Sequence, residues 1–366
     1  PPWWPLVALL GLAGADLTRA GTVDVALERM LDARVTRAAD APPLCRVCVD
    51  ARGLVQVPVI VDGDPARVVP AVVAAGGRVR AVVGRRHVTA DLPLTAARVV
   101  ARTPGVRHVK AGARVRAWND LGGLPGGVGV RGPEQTRLGP PYVSSHPAVA
   151  RARGGEGVVV ALVDTGVDIT HPDLRNQDGS TRLLAYWDQS DPTTRAADHP
   201  AGFGYGRLYE ATDLNAILEE RATLGATARD THGHGTHVAG TLAGGGRTRA
   251  GAPYADHQFT GVAPRAAIVA VKFDFEGARG DTTALVDAVD FCFRRAGARP
   301  CVVNLSLGTT HGPHDGSTLE ERALDALTGP GRVVVCAAGN AGGDEAHGAG
   351  TIDASRASEV TLDLAS

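Results

Sequence analysis

The chain has 366 residues, of which 44% are hydrophobic and 21% charged, and its formal net charge is -1. This length accommodates two domains, or one large domain with an appendage, and the near-neutral charge argues against a nucleic acid or an anionic membrane as partner. The five cysteines are too few and too scattered for a disulfide scaffold, and no apolar run is long enough to assign as a membrane span.

Residues 1–55 show no clear pattern and are treated as an N-terminal segment, a remnant of a signal or helical region. Residues 3–15 are apolar and as long as the hydrophobic part of a signal peptide, but no basic segment precedes them. A clipped signal peptide is therefore less favoured than an amphipathic or buried helix. Cys45 and Cys48 form a lone CxxC, which we interpret as two strand residues because no second pair accompanies them for zinc.

The sequence pattern of residues 56–116 predicts a small α/β domain. Asp64 and Pro65 provide the cap and first residue of a helix. The predicted strands are 57–61, 79–83, 87–90 and 106–110, and the predicted helices are 65–75 and 94–101. The order βαββαβ is that of a ferredoxin-like unit.

Residues 119–141 are rich in Gly and Pro and are predicted to form a linker. They include a GxGxxG match at 127–132. We reject a dinucleotide site there, because no strand leads into the match and Pro133 follows where a helix should start.

From residue 156 the sequence pattern predicts strands that alternate with helices. This order predicts a doubly wound, mostly parallel sheet, within an incomplete domain over 117–348. Ser317 and Glu320 have the spacing of a capping box at the start of one helix. The predicted strands are 158–163, 267–273, 301–305 and 332–337, and the predicted helices are 282–295 and 317–328. Val360, Leu362 and Leu364 alternate with Glu359, Thr361 and Asp363, so we expect a β-rich segment over residues 349–366.

Polar groups follow three of the predicted strands, where an open α/β sheet carries its site. A carboxylate there can accept the Nδ1 proton of an imidazole, which can then take a proton from an alcohol nucleophile. An asparagine amide can donate to the oxyanion that develops. Asp164, His234 and Asn340 fit these three roles.

Four motifs carry a resemblance to the subtilisin-like serine proteases, the subtilases. They are DTGVDITHPDL at 164–174, HGTHVAG at 234–240, NLSLG at 304–308 and AAGN at 337–340. The resemblance implies that Asp164 orients the histidine and that His234 is the general base and then the general acid. It also implies that Asn340 donates to the oxyanion and that the backbone of Ser306, Leu307 and Gly308 pairs with a polypeptide substrate.

A finer resemblance concerns the branch that includes the Csp germination proteases. It rests on DGSTRLLAYWDQ, GFGYG and the separation of 70 positions between Asp164 and His234. Proteins of that branch are similar in carrying a β-rich domain between the asparagine and the serine.

The nucleophile is missing from the pattern, because no Gly-Thr-Ser follows Asn340. We expect a serine endopeptidase that works through an acyl-enzyme and is made as a zymogen, with the serine beyond the given residues. The alternative is an inactive pseudoprotease that binds peptides or a protease. The resemblance further implies that residues 56–116 are a propeptide that inhibits its own enzyme; an unrelated ferredoxin-like domain is the alternative.

No cofactor is assigned from the sequence. His232, His234 and His237 lack the HExxH spacing of a zinc site, so we expect His232 in a solvated loop and His237 in the interior. A structural calcium ion at Asp168 or Asp173 is weighed against turn and cap roles, which are favoured. A secreted or cell-envelope location is expected.

Overall fold

The computed structural model describes residues 21–36, 47–50, 53–117, 153–193, 195–248, 260–277, 279–309 and 312–340. The apolar segment at 3–15, the predicted linker at 119–141 and the predicted β-rich segment at 349–366 lie outside these ranges. Among the described residues, no helix is long and apolar enough to cross a membrane.

The first sheet contains six strands in the order β1-β6-β3-β5-β4, with β2 paired to β3. Its strands are β1 (Thr22–Val23), β2 (Cys48–Val49), β3 (Val55–Gly63), β4 (Arg78–Val83), β5 (His87–Pro93) and β6 (Val106–Ala111), and its helices are α1 (Val25–Asp32), α2 (Pro65–Ala74) and α3 (Ala97–Ala101). From β3 to β6 the chain runs strand, helix, strand, strand, helix, strand. The pairs β6–β3, β3–β5 and β5–β4 are antiparallel, whereas β1 is parallel to β6.

Local signals explain these elements. The side chain of Asp64 accepts the N–H of Ala66, and Pro65 begins α2, as the sequence predicts. The turn between β4 and β5 contains Gly84 at φ 58°, in the left-handed region that favours glycine. β1 has only two residues and was not predicted, and neither was α1. The strand inferred at Cys45 and Cys48 is found at β2, which contains Cys48, while Cys45 lies outside the described ranges.

The second sheet has the strand order β10-β9-β11-β8-β12-β14, parallel throughout except for β10. Its strands are β8 (Val159–Asp164), β9 (Leu183–Asp188), β10 (Arg207–Glu210), β11 (Ala267–Lys272), β12 (Cys301–Leu305) and β14 (Arg332–Cys336), and the helices in this part are α4 (Ala211–Leu218), α5 (His234–Ala243), α6 (Thr282–Ala296) and α7 (Leu319–Leu327). Two short strands, β7 (Arg116–Ala117) and β13 (Leu307–Gly308), form a separate antiparallel pair. The mostly parallel sheet agrees with the predicted fold class.

Alternate residues of β8 face opposite layers of helices. Val159, Ala161 and Val163 belong to a buried cluster with α6 and α7, whereas Leu162 belongs to a cluster with α5. A strand buried on both faces is continuously apolar, which is why β8 was recognisable in the sequence.

The two sheets share α6. The apolar cluster around α6 also contains Ile60, Ala81 and Val83 from the first sheet. β3 is therefore buried on both faces, since Val57, Val59 and Val61 pack within the first sheet's own core.

The start of α7 corrects one prediction. Thr318, not Ser317, is the N-cap, and its capping-box partner is Glu321 rather than Glu320. The N–H of Ser317 is instead bonded to the Asp315 carboxylate, which keeps Ser317 within the preceding turn.

Candidate active site

Asp164 is the last residue of β8 and is buried. Along the sheet its backbone lies beside Lys272 of β11, and Lys272 lies beside Asp188 of β9. One carboxylate oxygen, Oδ1, accepts the N–H of Thr165 at 2.7 Å. The carboxylate therefore stands at the carboxyl edge of the parallel strands, where an α/β sheet carries its site.

His234 is the first residue of α5, and the structure brings it to Asp164. The Nδ1 atom of His234 lies 2.5 Å from Oδ1 of Asp164, and both side chains are buried. Gly233 precedes the helix at φ 83°, so the chain turns directly from a left-handed residue into the helix. With Nδ1 donating to the carboxylate, Nε2 is the nitrogen suited to take a proton from a nucleophile.

A glycine permits this close approach. A Cβ atom on Gly235 would lie 2.0 Å from the carbonyl oxygen of Gly166 and 3.1 Å from Cβ of Asp164. The first turn of α5 can reach the end of β8 only because residue 235 lacks a side chain. The sequence HGTH thus sets the separation between the two candidate catalytic side chains.

Lys272 ties the same two segments together through the backbone. Its ammonium donates to the carbonyl of Thr165 at 2.9 Å and to the carbonyl of Arg229 at 2.8 Å. The first carbonyl follows Asp164, and the second precedes the histidine motif. This one side chain therefore fixes the aspartate turn relative to the loop that leads into α5.

Asn340 and the predicted substrate-binding residues occupy the same edge of the sheet. Asn340 lies four residues beyond β14, after Gly339 at φ 89°, and is exposed. β14 lies two strands from β8, with β12 between them. Ser306 follows β12 directly and accepts a hydrogen bond from Asn304 at 3.0 Å, while Leu307 and Gly308 form β13.

The partner of β13 comes from the segment that follows the first sheet. Leu307 pairs with Ala117 and Gly308 with Arg116, in antiparallel register. The residues predicted to bind substrate by backbone pairing are thus paired with the chain's own segment.

These features agree with a family comparison. The model of the subtilase family, Peptidase S8, matches residues 155–362, more than half of the chain. The chain belongs to the subtilase family.

Several curated subtilases are similar to this one over part of their length. The minor extracellular protease Vpr of Bacillus subtilis is 31% identical over 55% of this chain and 20% of its own length. The major intracellular serine protease of the same organism is 30% identical over 54% of this chain and 47% of its own length. This subtilase therefore spans less than half of either relative.

Two solved structures are similar as well. The CspB protease of Clostridium perfringens matches with a TM-score of 0.43 and 28% identity, over 53% of this chain and 38% of that one. Fervidolysin from Fervidobacterium pennivorans matches with a TM-score of 0.44 and 18% identity, over 85% of this chain and 45% of that one.

The aspartates considered for calcium in this subtilase are occupied by hydrogen-bond donors. Asp168 accepts the N–H and hydroxyl of Thr170, and Asp173 accepts the backbone N–H groups of Arg247 and Thr248. All four of these bonds are to the Oδ1 atoms, as the turn and cap roles weighed for Asp168 and Asp173 require, and a structural calcium ion at either residue stays a prediction. Within the described ranges, no group of three His, Cys, Asp or Glu side chains could hold a metal ion.

The two neighbouring histidines differ from each other less than the sequence suggests. His232 is exposed, as predicted, and its ring centroid is 6.1 Å from that of His234. His237 is exposed too, so its predicted interior position is wrong. One turn after His234, the buried face of α5 is formed by Val238 and Ala239 instead.

Sequence reasoning did not assign Lys272 or Asp230 to the site. One signal was available for the first: the chain contains only two lysines, and Lys272 ends a buried strand. Asp230 stands four residues before His234 and accepts local bonds from Gly233 and Thr236, but its bond to Thr165, which joins it to the aspartate segment, spans 65 positions.

Proposed function

We propose that the complete protein is a serine endopeptidase that hydrolyses polypeptides through an acyl-enzyme. The observation that carries this proposal is the buried hydrogen bond between Asp164 and His234 at the carboxyl edge of the sheet. Asp164 would hold the imidazole in one tautomer and stabilise its charged form, and His234 would accept the proton of a serine hydroxyl and return it to the leaving amine. The serine itself is not assigned to a residue here.

Asn340 would supply one donor to the oxyanion of the tetrahedral intermediate. Its place beyond β14, on the edge that carries Asp164, supports this role. In subtilisin, removal of one such side-chain amide lowers kcat by about a hundred- to a thousand-fold.

We further propose that residues 56–116 form a prodomain that blocks the site, so that the protein is a zymogen with a catalytic domain over 117–348. Two observations support this. The antiparallel order β6-β3-β5-β4 is that of a ferredoxin-like unit, and β7 at its end is paired with Leu307 and Gly308. A segment paired with these residues excludes a substrate strand from them, because both would use the same backbone groups.

The contacts that lead to β7 support a stable blocked state. The N–H of Val115 donates to the carbonyl of Gly280, and the N–H of Thr282 donates to the carbonyl of Ala113. Nearer the sheet, Lys110 of β6 forms an ion pair with Glu320 of α7. The proposed prodomain would therefore leave only after several backbone and charged contacts break. A secreted or cell-envelope location remains our prediction.

Labelling by a fluorophosphonate probe tests the catalytic proposal in the complete protein, after the proposed prodomain of every variant has been cleaved in trans by added parent protein, which is then removed. We expect His234→Ala to abolish labelling, because the serine then lacks its base. His232→Ala is the matched control, since it removes an exposed histidine next to the site and should label normally. Undiminished labelling of His234→Ala would reject the role of His234, and absence of labelling in the parent protein would favour a peptide-binding pseudoprotease.

A further inference from the structure

Four hydrogen bonds around the start of α5 converge on the carboxylate of Asp230. Its Oδ1 accepts the N–H of Gly233 at 2.8 Å and the hydroxyl of Thr165 at 2.9 Å. Its Oδ2 accepts the N–H of Thr236 at 2.9 Å and the hydroxyl of Thr236 at 2.6 Å. The two oxygens of this one carboxylate therefore accept all four hydrogen bonds.

The donors stand on both sides of the candidate catalytic pair. Gly233 and Thr236 flank His234 in the chain, and Thr165 directly follows Asp164. The hydroxyl of Thr165 also accepts the N–H of Gly235 at 2.9 Å. Asp230 is thus joined to the segment that carries the aspartate and to the helix turn that carries the histidine.

We propose that Asp230 is a positioning residue, which holds His234 in register with Asp164 through Thr165, Gly233 and Thr236. This inference rests on the proposed function for its catalytic meaning, but the positioning itself is a property of the folded chain. A hydrogen bond of 2.5 Å between two buried groups tolerates little displacement, so the backbone on both sides has to be fixed.

The charge of Asp230 has a second consequence. His234 is at the amino end of α5, where the helix dipole opposes the positive charge that the imidazole acquires during catalysis. A carboxylate bonded to the first turn offsets that effect. Burial alone would raise the pKa of Asp230, but the hydrogen bonds from Thr236, Gly233 and Thr165 outweigh burial and lower its pKa below the usual value, so the group is ionised at neutral pH.

A purely structural cap would act differently from a positioning residue. Loss of a cap lowers stability and leaves the folded site unchanged, whereas loss of positioning changes the bond between His234 and Asp164 in molecules that are still folded. The two roles are therefore separable by a readout taken on the folded protein.

The first test is proton NMR of the 366-residue chain, in which the Nδ1–H of His234 gives a low-field resonance. We expect Asp230→Asn to move this resonance upfield or to lose it by exchange with solvent. Asp168→Asn is the matched control, because it removes an exposed carboxylate in the neighbouring turn whose hydrogen bonds within the described residues come from Thr170. This readout does not depend on hydrolysis, so it stands even if the proposed protease activity fails.

The second test is steady-state kinetics of the complete protein on a peptide substrate. We expect Asp230→Asn to lower kcat about a hundredfold with little change in KM, the size associated with a displacement of about 1 Å at a reacting centre. If Asp230→Asn does not fold, Thr236→Val removes one hydroxyl donor while keeping the shape and the Asp230 charge, and it should lower kcat about tenfold. An Nδ1–H resonance and a kcat in the folded variant that match those of Asp168→Asn would overturn the proposal.

Discussion

Asp287 of α6 is a buried carboxyl that accepts hydrogen bonds from two hydroxyl groups, and its titration makes a testable contribution to stability. It is fully buried; its Oδ1 accepts the hydroxyl of Thr89 at 2.6 Å and its Oδ2 accepts the hydroxyl of Tyr205 at 3.0 Å. Burial raises the pKa of Asp287 to about 7, although the hydrogen bond from Thr89 and the charge of Arg80 oppose the increase. The negative charge of nearby Asp281 raises the pKa of Asp287 further.

The direction of the pH effect follows from this raised pKa. Between about pH 4 and pH 7 the folded protein binds more protons at Asp287 than the unfolded chain does, so its stability falls as the pH rises. The free-energy cost of ionising Asp287 in the folded protein is absent below about pH 4 and reaches its full size above about pH 7. A change in pKa from 3.8 to about 7 corresponds to about 4 kcal/mol, of which about 3 kcal/mol develops between pH 5 and pH 8.

Asp287→Asn removes the ionisation and keeps the shape of the side chain. We expect the variant to gain stability over the parent as the pH rises, with an upper bound of about 3 kcal/mol between pH 5 and pH 8. The measurement is urea denaturation of both proteins at several pH values. Asp325→Asn, an exposed change of the same charge on α7, should stay within about 0.5 kcal/mol of the parent throughout.

A constant difference between Asp287→Asn and the parent across this pH range would refute the reasoning, because it would mean that Asp287 does not titrate between the two states. A variant that becomes less stable than the parent with rising pH would refute it as well.

Three further substitutions probe the packing around the site. Gly235→Ala places a Cβ 2.0 Å from a carbonyl oxygen of Gly166, so we expect a loss of about 1–3 kcal/mol in urea denaturation and loss of fluorophosphonate labelling; normal labelling would contradict the close approach. Trp187 is fully buried with its ring centroid 4.9–5.1 Å from three aromatic neighbours, and Trp187→Ala should cost about 3–5 kcal/mol by urea denaturation, whereas a cost below 1 kcal/mol would contradict this packing. Glu320→Gln breaks the partly exposed ion pair with Lys110 and should cost about 1 kcal/mol at low salt and less at high salt; a cost independent of salt would exclude an ionic contribution.

The sequence was most informative where a signal is local. The cap of α2 at Asp64 and the apolar run of β8 depend on neighbouring residues, and both lie where they were predicted. The strand β9 ends in Tyr-Trp-Asp and was not predicted, since a short apolar run without β-branched residues is not told from a buried helix segment by periodicity alone. The shift of the α7 cap from Ser317 to Thr318 shows that two adjacent hydroxyl residues cannot be ranked without knowing which one a preceding aspartate engages.

In the candidate site, too, the sequence identified residues with a local motif and missed contacts between distant segments. Asp164 and His234 were identified from their motifs, and the structure joins them by a hydrogen bond. The bonds of Lys272 to Thr165 and Arg229, and the bond of Asp230 to Thr165, join residues distant in the chain, which no periodicity or capping rule encodes. The pairing of Ala117 with Leu307 likewise depends on how the first sheet packs on α6, a tertiary arrangement that the order of elements alone does not specify.

The most direct test of the account is the kcat of Asp164→Asn in the complete protein, measured on a peptide substrate after the proposed prodomain has been cleaved in trans by added parent protein, which is then removed. An amide at this position keeps the shape of the side chain but favours the wrong imidazole tautomer, so kcat should fall by about four orders of magnitude with KM little changed. A kcat within tenfold of the parent value would contradict the claim that the pair formed by Asp164 and His234 performs the chemistry.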